Sequence, residues 1–185
     1  KNFAELKKEF SAIYPNFNIA YSYKTNYTPK LCKIVDESGG YAEVVSEMEL
    51  EIARRIGVKP ERIIWNGPIK TPAIAEAFLL AGGTVNIDSA EEAAFIMDLA
   101  AHHKDKTLSV GIRCNYDVGD GVVSRFGFDT NGHDFMEAVT LATTTPNIKF
   151  RSLQCHFAKR QIEYWPARAK GMVALIDSLG IIPER

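Results

Sequence analysis

The chain has 185 residues, 46% of them apolar, and a formal net charge of −1. That length suits one domain with a sizeable core. The balanced charge offers no attraction to nucleic acid or to a membrane surface, and neither a membrane-length apolar run nor an opening signal peptide is apparent, so a cytoplasmic protein is expected.

In chain order, "KNFAELKKEFSAIYPN" reads as an amphipathic helix that stops before Pro15. In "NIAYSYKTNYTPK" (18–30), Ile19, Tyr21 and Tyr23 share one face, while Ala20, Ser22 and Lys24 share the other. Such alternation argues a strand. Thr28-Pro29 then supplies an N-cap and a first helical residue, for a helix to about Glu37 that stops at Gly39-Gly40. Lys24 therefore falls at the C-terminal end of a strand, the edge where β/α folds build chemistry. The plainer reading is an edge-strand lysine facing water.

The pattern repeats. "YAEVVS" (41–46) is a strand, followed by "EMELEIARRIG", in which Met48, Ile52 and Ile56 recur at helical spacing. "RIIWNG" (62–67) leads into a helix that again starts at Thr-Pro, and "TVNIDS" (84–89) into one capped by Ser89, with His102-His103 at its C-terminal end. "LSVGIRCN" (108–115) is followed by a long loop, in which Gly119-Asp120-Gly121 reads as a turn rather than a phosphate cradle. The helix "HDFMEAVTLATT", the strand "IKFRSLQCHF" (148–157) and the helix "PARAKGMVALIDSLG" complete the chain.

The alternation gives six βα units and hence a parallel α/β fold, either an open doubly wound sheet or part of an eight-stranded barrel. The strand faces favour the barrel. In 108–115, Leu108, Val110, Ile112 and Cys114 oppose Ser109, Gly111, Arg113 and Asn115. In 148–157, Arg151, Leu153, Cys155 and Phe157 alternate with Ser152, Gln154 and His156. A strand covered by helices on both faces would be almost wholly apolar. One face turning polar toward its C-terminal end suits a barrel lumen. Lys24, Arg113 and His156 would then face one mouth, although Arg113 could equally be the ion-pair partner of Glu43 or Asp88. The three cysteines, Cys32, Cys114 and Cys155, are scattered and suit a reducing compartment. Cys155 and His156 would point to opposite faces of a strand and so could not form a thiol–imidazole pair.

A lysine crowded by apolar and cationic neighbours is a nucleophilic amine, able to form a Schiff base with an aldehyde such as pyridoxal phosphate. From about Asn18 to His156 the chain resembles the pyridoxal-phosphate-dependent decarboxylases of the alanine-racemase-type barrel, the diaminopimelate and ornithine decarboxylase family. "YSYKTN" resembles its cofactor-lysine strand, "GGYAEVVSEMEL" the strand ending in Ser-x-x-Glu, and "IIWNGPIKT" and "VNIDSAEE" the next two units. "IRCN" with "SRFGF", and "QCHF", are similar to later segments.

The resemblance implies a (β/α)8 TIM-type barrel, here incomplete, with residues 1–185 as a partial cofactor-binding domain and the C-terminal β-domain absent. It implies that Lys24 carries the cofactor as an aldimine, that His156 stacks on its ring and that Arg113 lies near its phenolic oxygen. It also places Glu43 and Glu49 nearby, Glu43 standing where the ornithine enzymes have aspartate. The activity implied is decarboxylation of a basic or diamino acid by a homodimer. A racemase or other lyase on the same barrel, and a homologue that only binds cofactor or a partner, are the alternatives. The chain departs from the family after His156-Phe157, where Ala158-Lys159-Arg160 replaces the usual Gly-Ser, so Lys159 or Arg160 would serve phosphate or substrate carboxylate. Arg125 stands where lysine is usual.

Overall fold

The computed structural model describes residues 2–119, 121–122, 124–159 and 161–184. The chain divides into two compact units, residues 1–84 and 85–185. The first holds α1 (Asn2–Ile13), β1 (Ala20–Ser22), α2 (Pro29–Glu37), β2 (Tyr41–Val44), α3 (Glu47–Arg55), β3 (Ile63–Trp65) and α4 (Pro72–Leu80). Its strands run parallel in the order β1-β2-β3, with Ser22 opposite Glu43 and Glu43 opposite Ile64. Tyr23, Val44, Ile63, Trp65 and Leu79 form its fully buried centre, where Trp65 meets Phe78 edge to face at 5.8 Å.

The helix starts fall where expected, with Thr28 and Thr71 at the N-caps and Pro29 and Pro72 opening the helices, but neither threonine caps its helix through its side chain. The residue before proline is pushed to extended ψ, and proline's fixed φ starts the helix instead. The Thr28 N–H is bonded to Asn26 Oδ1 (3.0 Å) and the Thr71 N–H to Glu47 Oε1 (3.1 Å). Helix α3 is also rotated from the predicted stripe: it buries Glu49, Leu50 and Ala53, and Met48 is exposed. Leu50 and Ala53, three residues apart, form the buried apolar pair beside Glu49.

The second unit takes in β4 (Thr84–Ile87), α5 (Ala90–His102), β5 (Leu108–Asn115), β6 (Phe128–Asp129), α6 (His133–Thr144), β7 (Ile148–Gln154) and α7 (Trp165–Leu179). Strand β5 is its axis. It lies beside β4, pairs in parallel with β7 from Leu108↔Ile148 to Arg113↔Gln154, and takes β6 against its C-terminal end. The two-residue β6 lies inside the segment expected to be loop. The β5–β7 register shifts after Val110, leaving Arg151 unpaired and its Nε bonded to Ser109 Oγ (3.2 Å). Strict alternation along β7 therefore fails at Arg151. The predicted strand 148–157 also overruns, since β7 ends at Gln154 and Cys155, His156 and Phe157 follow it. The opposite-faces argument for Cys155 and His156 thus loses its strand.

The apolar face of β5 packs Leu108, Val110 and Ile112 into a core with Ile96 and Phe135. Its other face is polar and also buried. Ser152 Oγ donates to Asn86 Oδ1 (2.9 Å) across Gly111. A Cβ at Gly111 would lie 1.9 Å from Asn86 Oδ1, 2.1 Å from Ser152 Oγ and 2.9 Å from the Ser152 carbonyl. Among the described residues no helix is long and apolar enough to cross a membrane.

Gly111→Ala is expected to destabilise the protein by about 2 kcal/mol, within the range for overpacking a filled interior. Urea unfolding of the complete protein measures it, and an unchanged midpoint would contradict the tight crossing of Asn86 and Ser152.

Candidate functional site

Lys24 stands in the turn that follows β1. The Tyr23 N–H donates to the Glu43 carbonyl (2.9 Å), and the Thr25 N–H and Oγ1 both donate to the Ser22 carbonyl (3.2 and 2.7 Å). Tyr23 is buried and Lys24 exposed. The lysine is thus carried on a closed turn rather than on the strand itself, which has only three residues.

Both carboxylates expected near it, Glu43 and Glu49, belong to the same unit. Glu43, on β2, accepts from Asn66 Nδ2 (2.8 Å). Glu49, in the first turn of α3, is buried, and its Oε2 accepts the Val45 N–H (2.8 Å) while its own N–H donates to Ser46 Oγ (3.3 Å). This is a capping exchange in which side chains satisfy the amides that a helix start leaves open. Burial raises the Glu49 carboxyl above the usual carboxylate range; the Val45 N–H opposes that shift, Glu43 adds to it and the Lys24 charge opposes it.

The same exchange recurs in the second unit. Ser89 Oγ accepts the Glu92 N–H (3.3 Å) and Glu92 Oε2 accepts the Asp88 N–H (2.8 Å). Glu49 and Glu92 are therefore equivalent, and both hold strand-to-helix junctions. The residue before the cap is Val45 in one and Asp88 in the other.

Arg113, near the end of β5, donates from NH1 to Asp88 Oδ1 (2.9 Å), and both side chains are buried. Of the two ion-pair partners the sequence offered, Asp88 is the one engaged. On its other side the guanidinium lies 4.9 Å from the Phe126 ring centre, as does that of Arg125. Asn115 Nδ2 donates to the Phe126 and Gly127 carbonyls (both 3.0 Å), which fixes the "SRFGF" segment against β5.

His156 is exposed just past β7 and lines a cavity of about 320 Å³ with Asn115, Tyr116, Ser124, Arg125 and Phe126. Phe126 thus connects the environments of Arg113 and His156. Lys159 is half-buried with Nζ 5.4 Å from the Tyr164 ring centre, and Arg160 lies outside the described residues. Asp120 also lies outside them, but Gly119 donates to Asp117 Oδ1 (2.7 Å) in the turn expected there. His102 ends α5 and His103 caps it. Burial pushes the Cys114 thiol up to about 12 and raises that of Cys155, which disfavours both thiolates.

Two buried side-chain oxygens have no hydrogen-bond partner among the described residues: Ser22 Oγ, two residues before Lys24, and Gln154 Oε1, two residues before His156. Unmet polar atoms of this kind suit a polar ligand. In the first unit the Lys24 amine suits an aldehyde; in the second, the Arg113 guanidinium and the His156 imidazole suit an anionic aromatic group.

An α/β domain with parallel strands and a lysine on its first βα turn defines the class. Residues 1–164 match the family described as "Pyridoxal-dependent decarboxylase, pyridoxal binding domain", and the chain belongs to that family. Its cofactor is accordingly pyridoxal phosphate. The chain is 30% identical to a diaminopimelate decarboxylase of Actinosynnema pretiosum over 96% of its own length and 43% of that protein. It is 28% identical to the Aquifex aeolicus diaminopimelate decarboxylase over 94% and 44%. A solved diaminopimelate decarboxylase from M. jannaschii superposes with a TM-score of 0.83 at 23% identity, over 98% of this chain and 45% of that one, which establishes the shared fold. The chain spans less than half the length of these relatives.

Glu49→Gln keeps the acceptor for Val45 and removes the charge. Because the native Glu49 carboxyl titrates above its unfolded value, the native state holds the extra proton, and stability falls as pH rises through the native pKa. Relative to the variant, the unsubstituted protein should lose stability as pH rises from the ordinary carboxylate range through the raised native pKa. Parallel stability curves in urea unfolding would show that Glu49 carries no net burial cost.

Proposed function

We propose that residues 1–185 are the N-terminal, cofactor-bearing part of a pyridoxal-phosphate-dependent decarboxylase. Its substrate is a basic or diamino acid of the diaminopimelate, ornithine or lysine kind. The observation that carries this reading is the family match over residues 1–164 together with Lys24 on the turn after β1. The relatives' names favour diaminopimelate, and favour decarboxylation over racemisation.

In this reading the cofactor, when bound, supplies an electron sink for the pair released as the Cα–carboxylate bond breaks. Lys24 Nζ would be its covalent anchor, and as a free amine would hold or pass a proton at the reacting carbon. The His156 imidazole would help hold the cofactor's ring. Arg113 would supply it with a fixed positive charge. Glu43 and Glu49 hold negative charge on the Lys24 side, the first steadied by Asn66. Lys159 and Arg160 supply cations for phosphate or substrate carboxylate. The reading requires Lys24, Arg113 and His156 to meet at one barrel mouth in the complete protein. It also takes that protein to be a cytoplasmic homodimer with a further C-terminal β-domain.

Borohydride treatment of the complete protein with pyridoxal phosphate, followed by mass spectrometry, is expected to find a pyridoxyl group on Lys24. Lys24→Arg should abolish the label and lower carbon dioxide release from diaminopimelate, ornithine or lysine by at least ~100-fold, because arginine keeps charge but cannot serve as the amine. A label on Lys30 or Lys70 instead would refute the assignment. Interconversion of enantiomers without carbon dioxide release would identify a racemase.

A further inference from the structure

We propose that Asp88 is the positioning residue for Arg113, and that the affinity of this site for pyridoxal phosphate depends on Asp88 through Arg113. The inference rests on the cofactor reading above.

The side chains of Arg113 and Asp88 are 8% and 7% exposed and joined at 2.9 Å. A buried guanidinium without a counter-charge is strongly disfavoured, and so is a buried carboxylate. Asp88 is itself immobile. Its N–H is bound by Glu92 Oε2, and the next residue, Ser89, caps α5. Its carboxylate therefore sits just before a helix N-terminus, where negative charge is favoured. The guanidinium also lies 4.9 Å from the centre of the Phe126 ring, and the Phe126 carbonyl accepts from Asn115 Nδ2 and Ser124 Oγ (3.0 and 3.1 Å). Arg113 thus contacts a carboxylate and a ring whose backbones are both tied down.

The comparison with the first unit sharpens the point. Val45 occupies the place of Asp88 before an equivalent capping exchange. The junction therefore does not need a carboxylate for its own stability. The capping exchange does not require the Asp88 carboxylate; the buried Arg113 guanidinium does.

The test uses the complete apoprotein, titrated with pyridoxal phosphate and followed by absorbance, with unfolding midpoints recorded alongside. Asp88→Asn retains the side chain's size and removes its charge. It is expected to weaken binding about tenfold or more, and Arg113→Met to do the same. The double variant should bind no more weakly than Arg113→Met alone, because residues acting as a unit are not additive. A purely structural Asp88 would lower the unfolding midpoint and leave affinity unchanged, which would overturn the proposal. So would a loss that adds in full to that of Arg113→Met. If Asp88→Asn does not fold, Asp88→Glu decides. That variant keeps the charge and displaces it by one methylene, and unchanged affinity there would also overturn the proposal. Unsubstituted protein that is labelled at Lys24 while the Asp88 variants bind normally would sink this inference alone. Unsubstituted protein that does not bind pyridoxal phosphate would sink both.

Discussion

The strand-to-helix junctions depend on how unpaired backbone amides are satisfied. A parallel strand that turns into a helix leaves N–H groups with no ladder and no helical partner. In this chain Glu49 and Glu92 reach back to accept the amides of Val45 and Asp88, while Ser46 and Ser89 accept forward. The cost is visible at Glu49, whose carboxyl is raised by burial. The benefit is that each helix leaves its strand at a fixed angle, so that the residues around the junction have fixed positions too.

A second constraint is polar closure of the inner face around β5. Asn86, Asp88, Ser109, Arg113 and Ser152 are buried, and the contacts among them and with Arg151 satisfy them. Gly111 is small because Asn86 and Ser152 meet over it. Such a network fixes register, since shifting a strand by one residue would place these groups against apolar neighbours. It also gives a fixed floor beneath the segment that carries Phe126.

Much of this was legible in the sequence. Alternation of strand and helix, the Ser89 cap, the glycine stops and the polar face of 108–115 all follow from local period and turn chemistry. What was not legible depends on geometry that period does not encode. The register shift at Arg151 breaks alternation within one strand. Thr28 and Thr71 do stand at the N-caps, yet their side chains make no capping bond, which residue type alone does not reveal. Met48 fits a helical stripe, but the face that is buried carries Glu49, Leu50 and Ala53 instead. Asp88 was visible only as one of two partners for Arg113, because choosing between Glu43 and Asp88 requires knowing which strand lies beside β5. The repeated Ser-x-x-Glu at 46–49 and 89–92 was the available signal that Glu49 has a structural duty.

The matching junctions at Val45 and Asp88 also bear on how such a domain can diversify. In both, the neighbouring serine and glutamate hold the backbone, so the capping exchange itself places no demand on the side chain between strand and cap. One copy carries an aliphatic side chain, the other a carboxylate. New chemistry can therefore be installed at that place by a single codon change, with the scaffold already in position to receive it.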